Sequence, residues 1–351
     1  MGLIRVFHIE ISNLMARKHL RRGFLIGIVL LIFVALLSQI QRRSLPGSNS
    51  AETYPILPIG TNVWSGYEPL YLARSLGYFD DSALRLVEYS SASQVIKAFR
   101  NDAIQIAALT LDEALLLKEQ GRDLRVIMIF DISHGADVLL AQAGIESIRD
   151  LRGKAIGVEN TALGAYFLTR ALQQSQMSIT DVKVVPVAVD KHERAFSEKK
   201  VDAIITFDPV RTRLLASGAK QLFDSSQIPG EIVDVLVIHP KTLEEQIDNV
   251  KVILEGWFKA LKYLRDDPGD ASQRMADRLR LTPVEVLNTF SGMRLPDLDE
   301  NISMLDGDES KLMHISHRLV DVMKRSGLLK GDFLLDELIS VEPLKILWDK
   351  N

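Results

Sequence analysis

IGTNVWSGYEPLYLARSLGYF, residues Ile59 to Phe79, is the stretch whose reading decides the fold. Ile56 to Thr61 reads as a short strand, broken by the polar and aromatic run Asn62, Val63, Trp64, Ser65, Gly66, Tyr67. Pro69 then stands where a first helical turn tolerates a missing N–H. Leu70, Leu72, Ala73 and Leu76 supply a buried helical face before Gly77 stops the helix. In an open α/β sheet a strand, loop, helix unit of this kind puts its loop at the carboxyl end of the strand, where ligands bind. The helix start aims free N–H groups into the same crevice. Trp64 and Tyr67 would wall it with rings that carry a hydrogen-bonding edge; the competing reading packs both rings beneath the loop.

The same alternation continues outward. Strands are expected at Leu84 to Glu88, Ile106 to Leu109 and Leu124 to Phe130, with helices at Ser93 to Arg100 and Asp112 to Glu119 between them. After a crossing within 131–142 a second set follows. Its strands are Ala155 to Val158, Val182 to Val187 and Ala203 to Phe207, and its helices are Gly164 to Gln173, one around Lys191 to Glu198, and Pro209 to Ala216. Ile232 to Ile238 reads as a strand returning to the first set. Regular strand and helix alternation implies α/β architecture with mostly parallel sheets and right-handed crossovers. The expected division is a first lobe of 55–135 and 235–351, whose last part is mainly helical, and a second lobe of 136–234. Leu254, Trp257, Phe258, Leu261 and Leu264 share one helical face.

Three segments in order carry a resemblance: the opening stretch with its Gly-Tyr, PLYLAR and GYF, then DLRGKAIGVENTALGAY (Asp150 to Tyr166), then VDAIITFDPV (Val201 to Val210). Together they resemble the solute-binding proteins of the nitrate, sulfonate, taurine and thiamine-precursor ABC import group, over roughly Ile56 to His239. The resemblance implies a two-lobed periplasmic-binding-protein fold of type II, with no catalysis and no cofactor. It also implies an ABC permease and its ATPase as partners, and places the loop after the first strand, the 159–164 turn and Phe207-Asp208-Pro209 against the ligand. Relatives of the group carry tryptophan and glutamate where this chain has Phe207 and Asp208, so ligand identity does not carry over.

The 351 residues, 47% hydrophobic and 25% charged, suffice for two lobes with real cores. No cysteine is present, which excludes disulfides, thiolate metal sites, a cysteine nucleophile and a lipid-modified cysteine anchor. Residues 1–50 hold seven Lys or Arg and one acidic residue, Glu10, whereas the remainder holds 35 basic against 45 acidic residues. A net acidic body argues against a nucleic-acid partner. Residues 23–40 contain no charge and are preceded by Arg17, Lys18, Arg21 and Arg22. The positive-inside bias therefore leads to the expectation that 1–22 is cytoplasmic, 23–40 an uncleaved transmembrane signal anchor of the inner membrane, with a removed signal peptide as the alternative, and 41–54 a Ser-, Gly- and Pro-containing linker, with the body in the periplasm or on the extracellular face.

Catalytic signatures fail on inspection. There is no phosphate-binding GxxxxGK[ST], no GxGxxG and no GxSxG. His192-Glu193 begins a zinc-protease motif, but Phe196 stands at the second histidine position, and the pair reads as a solvated helix face. Asp297, Asp299, Asn301 and Asp308 echo a calcium loop without its glycine and read as an acidic surface loop.

The positive signal is the set of polar residues that the alternation places at strand carboxyl ends. The candidate ligand-binding residues are Asn62, Trp64, Gly66, Tyr67, Ser91, Thr110, Asp112, Asp131, Asn160, Thr161, Phe207 and Asp208. Ser93, Asp112 and Thr161 are equally residue types that cap helices. Arginines able to fork a sulfonate are absent from these loops while aspartates are present, so an amine-bearing or heterocyclic small organic ligand is expected, with a sulfonate held by helix amino termini as the remaining option. The expected function is capture of that ligand between two lobes for an ABC importer. A sensory module signalling to a membrane partner is the alternative, and a pyrimidine-synthesis-type enzyme ranks behind both.

Overall fold

The computed structural model describes residues 56–79 and 84–349. The cytoplasmic, anchor and linker segments expected within 1–54 lie outside them. Among the described residues no helix is long and apolar enough to cross a membrane.

Eleven strands form two sheets among the described residues. The first contains β1 (Leu57–Thr61), β2 (Leu84–Glu88), β3 (Ile106–Thr110) and β4 (Arg125–Ser133). The second contains β5 (Val138–Ala141), β6 (Ala155–Val158), β7 (Lys183–Pro186), β8 (Ala203–Thr206) and β9 (Lys220–Asp224). The chain then returns to the first sheet with β10 (Val233–Ile238) and the two-residue β11 (Met293–Arg294). The spatial orders are β11-β4-β10-β3-β1-β2 and β7-β6-β8-β5-β9.

The expectation of mostly parallel sheets is corrected here. β1 pairs in parallel with β2 and β3, and β6 with β7 and β8. β10, however, lies antiparallel between β3 and β4, and β5 lies antiparallel between β8 and β9. Topology supplies the reason. Strands that alternate with helices all run with their carboxyl ends toward the other sheet, so a strand arriving from that sheet must run the opposite way. Each crossing inserts one such strand, and it converts two would-be parallel pairings into antiparallel ones. Apart from β11 the two sheets then share one order, with β1 and β6 at the point where the winding reverses.

The helices between strands are α1 (Glu68–Ser75), α2 (Ala92–Arg100), α3 (Leu111–Glu119), α4 (Ala162–Gln174), α5 (His192–Ser197) and α6 (Val210–Ala216). After β10 the chain is mainly helical; Pro240, Pro268 and Pro283 each begin a new helix there, and Pro343 stands second in another. These helices are α7 (Pro240–Glu245), α8 (Ile247–Asp266), α9 (Pro268–Leu279), α10 (Pro283–Phe290), α11 (Leu298–Leu305), α12 (Lys311–Arg325) and α13 (Glu342–Trp348). The face expected on α8 is present: Leu254, Trp257, Leu261 and Leu264 are buried and Phe258 is half-buried. The Trp257 ring meets Phe130 of β4 edge to face at 4.8 Å. Alternation along β5 sends Leu139 and Ala141 into one core, with Phe167 and Phe223, and Val138 and Leu140 into another, with Phe196 and Ile204.

Two surface expectations are also corrected. His192 is buried, with its ring nitrogens 3.1 Å from Thr206 Oγ1 and Val187 O, and burial pushes its pKa down to about 4. Asn301 is buried too: its Oδ1 accepts from Ile129 N at 2.7 Å and its Nδ2 donates to Ile129 O at 3.2 Å, tying α11 to β4. Each polar group sits inside because it replaces a missing backbone partner, which spacing along a sequence does not display.

Candidate functional site

The loop after β1 is built from local hydrogen bonds. Asn62 Oδ1 accepts from Trp64 N at 2.8 Å, and Ser65–Tyr67 forms one tight helical turn before α1. The turn presents Trp64 and Tyr67 toward the second sheet and toward β10. Trp64 Nε1 donates to Asp131 Oδ2 of β4 at 2.9 Å, and the Tyr67 hydroxyl donates to Asp234 Oδ1 of β10. Gly66 is required by packing rather than by φ. A Cβ there would run into Asp131 Oδ2 and Trp64 Nε1, so the loop closes over the carboxylate only without a side chain.

Loops of the two sheets meet at two places. The Trp64 indole packs edge to face on Phe207, with ring centroids 5.1 Å apart. Ser93 N, in the first turn of α2, donates to Glu159 Oε1 from the turn after β6, at 2.9 Å. Trp64, Phe207 and Glu159 are all buried.

Of the predicted residues, Asn62, Trp64, Gly66, Tyr67, Asp112, Asp131 and Phe207 are therefore buried where the two sheets face each other, together with Ser91 and Thr110. Ser91 and Thr110 are the residues that precede α2 and α3, so they stand in the capping positions expected of Ser93 and Asp112. Thr161 does cap α4, accepting from Gly164 N at 3.2 Å. Asp208 is buried with a structural duty, its Oδ1 accepting from Thr212 N at 2.9 Å and Thr212 Oγ1 at 2.7 Å at the start of α6. Asn160 is exposed and Thr161 half-buried. Both border a cavity of about 490 Å³ that Ser93, Glu113 and Ala162 also line, at the mouth between the sheets. A larger cavity of about 910 Å³ lies away from these loops, between the β4 to β5 crossing and α12.

Sequence reasoning missed three carboxyl groups of this site, Glu113, Asp137 and Asp234, and did not single out a fourth, Glu159, within the 159–164 turn that it placed there. Burial pushes all four pKa values up, that of Asp137 to about 6. The same cause raises those of Asp112 and Asp131. The missed signals were an acidic pair opening an otherwise apolar helix, Asp112-Glu113 in LDEALLL, and a single aspartate in the buried strand VDVLVI. Arg211 was missed as well. It is half-buried on α6, with an Nη1 3.5 Å from Asp208 Oδ2. Among the described residues no group of three or more His, Asp or Glu is disposed to hold a metal ion.

A family model described as NMT1/THI5 like matches residues 64–271. A binding protein of Brucella abortus (strain 2308) is 33% identical over 116 residues, covering 30% of this chain and 36% of that protein, so the match spans about a third of the curated relative. The alkanesulfonate-binding protein SsuA from Xanthomonas axonopodis pv. citri, solved bound to MOPS, superposes with a TM-score of 0.70 at 17% identity, over 83% of this chain and 99% of that one. The desulfurization enzyme DszB gives 0.62 at 18% identity, over 85% and 99%. Likenesses at this level of identity establish the periplasmic-binding-protein architecture.

Proposed function

The chain belongs to the NMT1/THI5-like family, and on that premise we propose that it is an extracytoplasmic solute-binding protein that closes two lobes, 55–135 with 235–351 and 136–234, on a small organic molecule. The observation that carries this reading is the meeting of loops from both sheets at two places, Trp64 against Phe207 and Ser93 against Glu159. A hinge at the two crossings would open both, and a ligand touching both sides would favour the closed population. Residues 23–40 would tether the protein to the inner membrane with its body in the periplasm, where the closed form would present its ligand to an ABC permease and ATPase. Catalysis is not part of the reading. The family's binding proteins support that, and the chain brings no cysteine, although the architecture is shared with one desulfurization enzyme.

A thermal-shift screen of the full chain against small organic cations, anions and neutral heterocycles tests this. Ligand at 100 times its dissociation constant stabilises by about 2.7 kcal/mol, which reads as a clear shift. We expect a hit that Trp64→Ala abolishes. A hit that survives Trp64→Ala would place binding elsewhere, and turnover of the bound compound would favour the enzyme reading.

A further inference from the structure

Six carboxyl groups lie close enough where the sheets meet to repel one another: Asp112 and Glu113 from the start of α3, Asp131 from β4, Asp137 from the first crossing, Glu159 from the turn after β6, and Asp234 from β10. None is more than 8% exposed. Asp131 and Asp234 face each other as direct partners on adjacent antiparallel strands, a pairing in which like charges oppose. Tyr67 and Trp64 each serve one oxygen, and Ser93 N serves Glu159. One oxygen each of Asp112, Glu113, Asp131 and Asp137 is left buried with no hydrogen-bond partner. None of the neighbouring cations hydrogen-bonds these oxygens. Arg170 is engaged by Glu231, Arg211 lies near Asp137 and pairs with Asp208, and Lys97 and Arg100 line the cavity beside Glu113.

Such a cluster weakens a closed protein, because buried acceptors without donors are costly and amide or apolar side chains would fill the same places more cheaply. An anion would add to the repulsion. Among the described residues no three of these carboxyls are disposed to hold one metal ion. An organic cation with several N–H groups supplies both the charge and the donors, and the Trp64 and Phe207 rings bordering the cluster suit a flat or alkyl-bearing cation. We propose that the ligand is a small organic cation of the amine or guanidine class, whose N–H groups are received by the orphaned oxygens of Asp112, Glu113, Asp131 and Asp137. This rests on the solute-binding reading and narrows it to one ligand class.

Titration calorimetry of the full chain with agmatine tests it, with pentane-1-sulfonate and 1,5-pentanediol as anionic and neutral controls of similar length. Agmatine binds at pH 8, and the two controls do not. Its affinity falls at least tenfold at pH 5.5. In two buffers of different ionisation enthalpy the heats reveal protons released on binding, because carboxyls that burial keeps protonated must ionise to receive a cation. Asp131→Asn and Asp112→Asn, which preserve shape, each weaken binding at least tenfold without lowering the melting temperature. Binding of the sulfonate or the diol in place of agmatine, lost in Trp64→Ala, would overturn the cation class and leave the solute-binding reading standing. Agmatine binding indifferent to both Asn variants would also overturn the proposal. Failure of all three probes, with no hit in the wider screen, would remove both readings together.

Discussion

Gly66 is where a single atom decides the site. Its missing Cβ is what lets the Ser65–Tyr67 turn settle on Asp131 and the Trp64 edge. Gly66→Ala should cost about 1–3 kcal/mol, as overpacking usually does. It should weaken ligand binding at least tenfold, since the indole must leave Asp131; thermal melting and calorimetric titration of the variant check the two effects. His192 makes the opposite kind of prediction, remote from the ligand. His192→Leu strands Val187 O and Thr206 Oγ1 and should cost about 1–3 kcal/mol with affinity unchanged, and a variant that melts like the parent would sink this account. These two residues also mark how far single residues were legible. The position of Trp64, Gly66, Tyr67 and Asp131 between the sheets was readable because strand and helix alternation locates the carboxyl ends of strands, although it did not show that Trp64 and Tyr67 join the core or that Asp131 lies within β4. Asp234 and His192 were not, because each sits in an apolar context where an isolated polar side chain looks incidental until its partner on another strand is known.

At the scale of elements, local pattern fixed the direction of strands but not their neighbours. β1, β2, β3 and β4 run the same way, as strand and helix alternation requires, yet β3 and β4 never touch because β10 lies between them. Pairing across more than a hundred residues depends on where the chain re-enters a sheet, and period-2 or period-3.6 patterns carry no information on that. α8 was more legible because its apolar stripe states both its helicity and its buried face. It yields a graded prediction. Trp257 is fully buried against Phe130, while its Nε1 donates to nothing. Trp257→Ala should therefore cost about 3–5 kcal/mol, whereas Trp257→Phe, which forfeits volume but no hydrogen bond, should cost less than half as much. Denaturant midpoints of the two variants check the ratio. Equal losses would mean that the indole N–H contributes to stability after all.

For the whole molecule the buried carboxyls impose a pH dependence whose sign can be worked out. Burial raises the pKa of Asp137 to about 6 and that of Glu68 to about 7, the latter despite Arg278 Nε donating to it at 2.8 Å, and raises those of Asp112, Glu113, Asp131, Glu159 and Asp234 as well. An unfolded carboxyl titrates near 4. Between that value and the raised one the folded chain holds more protons than the unfolded chain, so these groups contribute stability that is fully present below about pH 4 and is lost as pH rises through 6 and 7. His192 acts the other way. Its lowered pKa gives stability that is present above about 6.5 and lost as pH falls toward 4. One base opposes seven acids, and each tenfold change in acidity between the unfolded and the folded chain is worth about 1.4 kcal/mol. Without ligand, the melting temperature of the full chain should therefore fall by about 5 °C or more between pH 5 and pH 8. Asp131→Asn should flatten that slope by removing one of the seven, and a bound cation should flatten it further by stabilising the ionised carboxyls. Scanning calorimetry across this range decides it: a melting temperature that is level or rises from pH 5 to 8 would mean that the carboxyls ionise freely in the folded protein and that the two sheets do not stay closed over them.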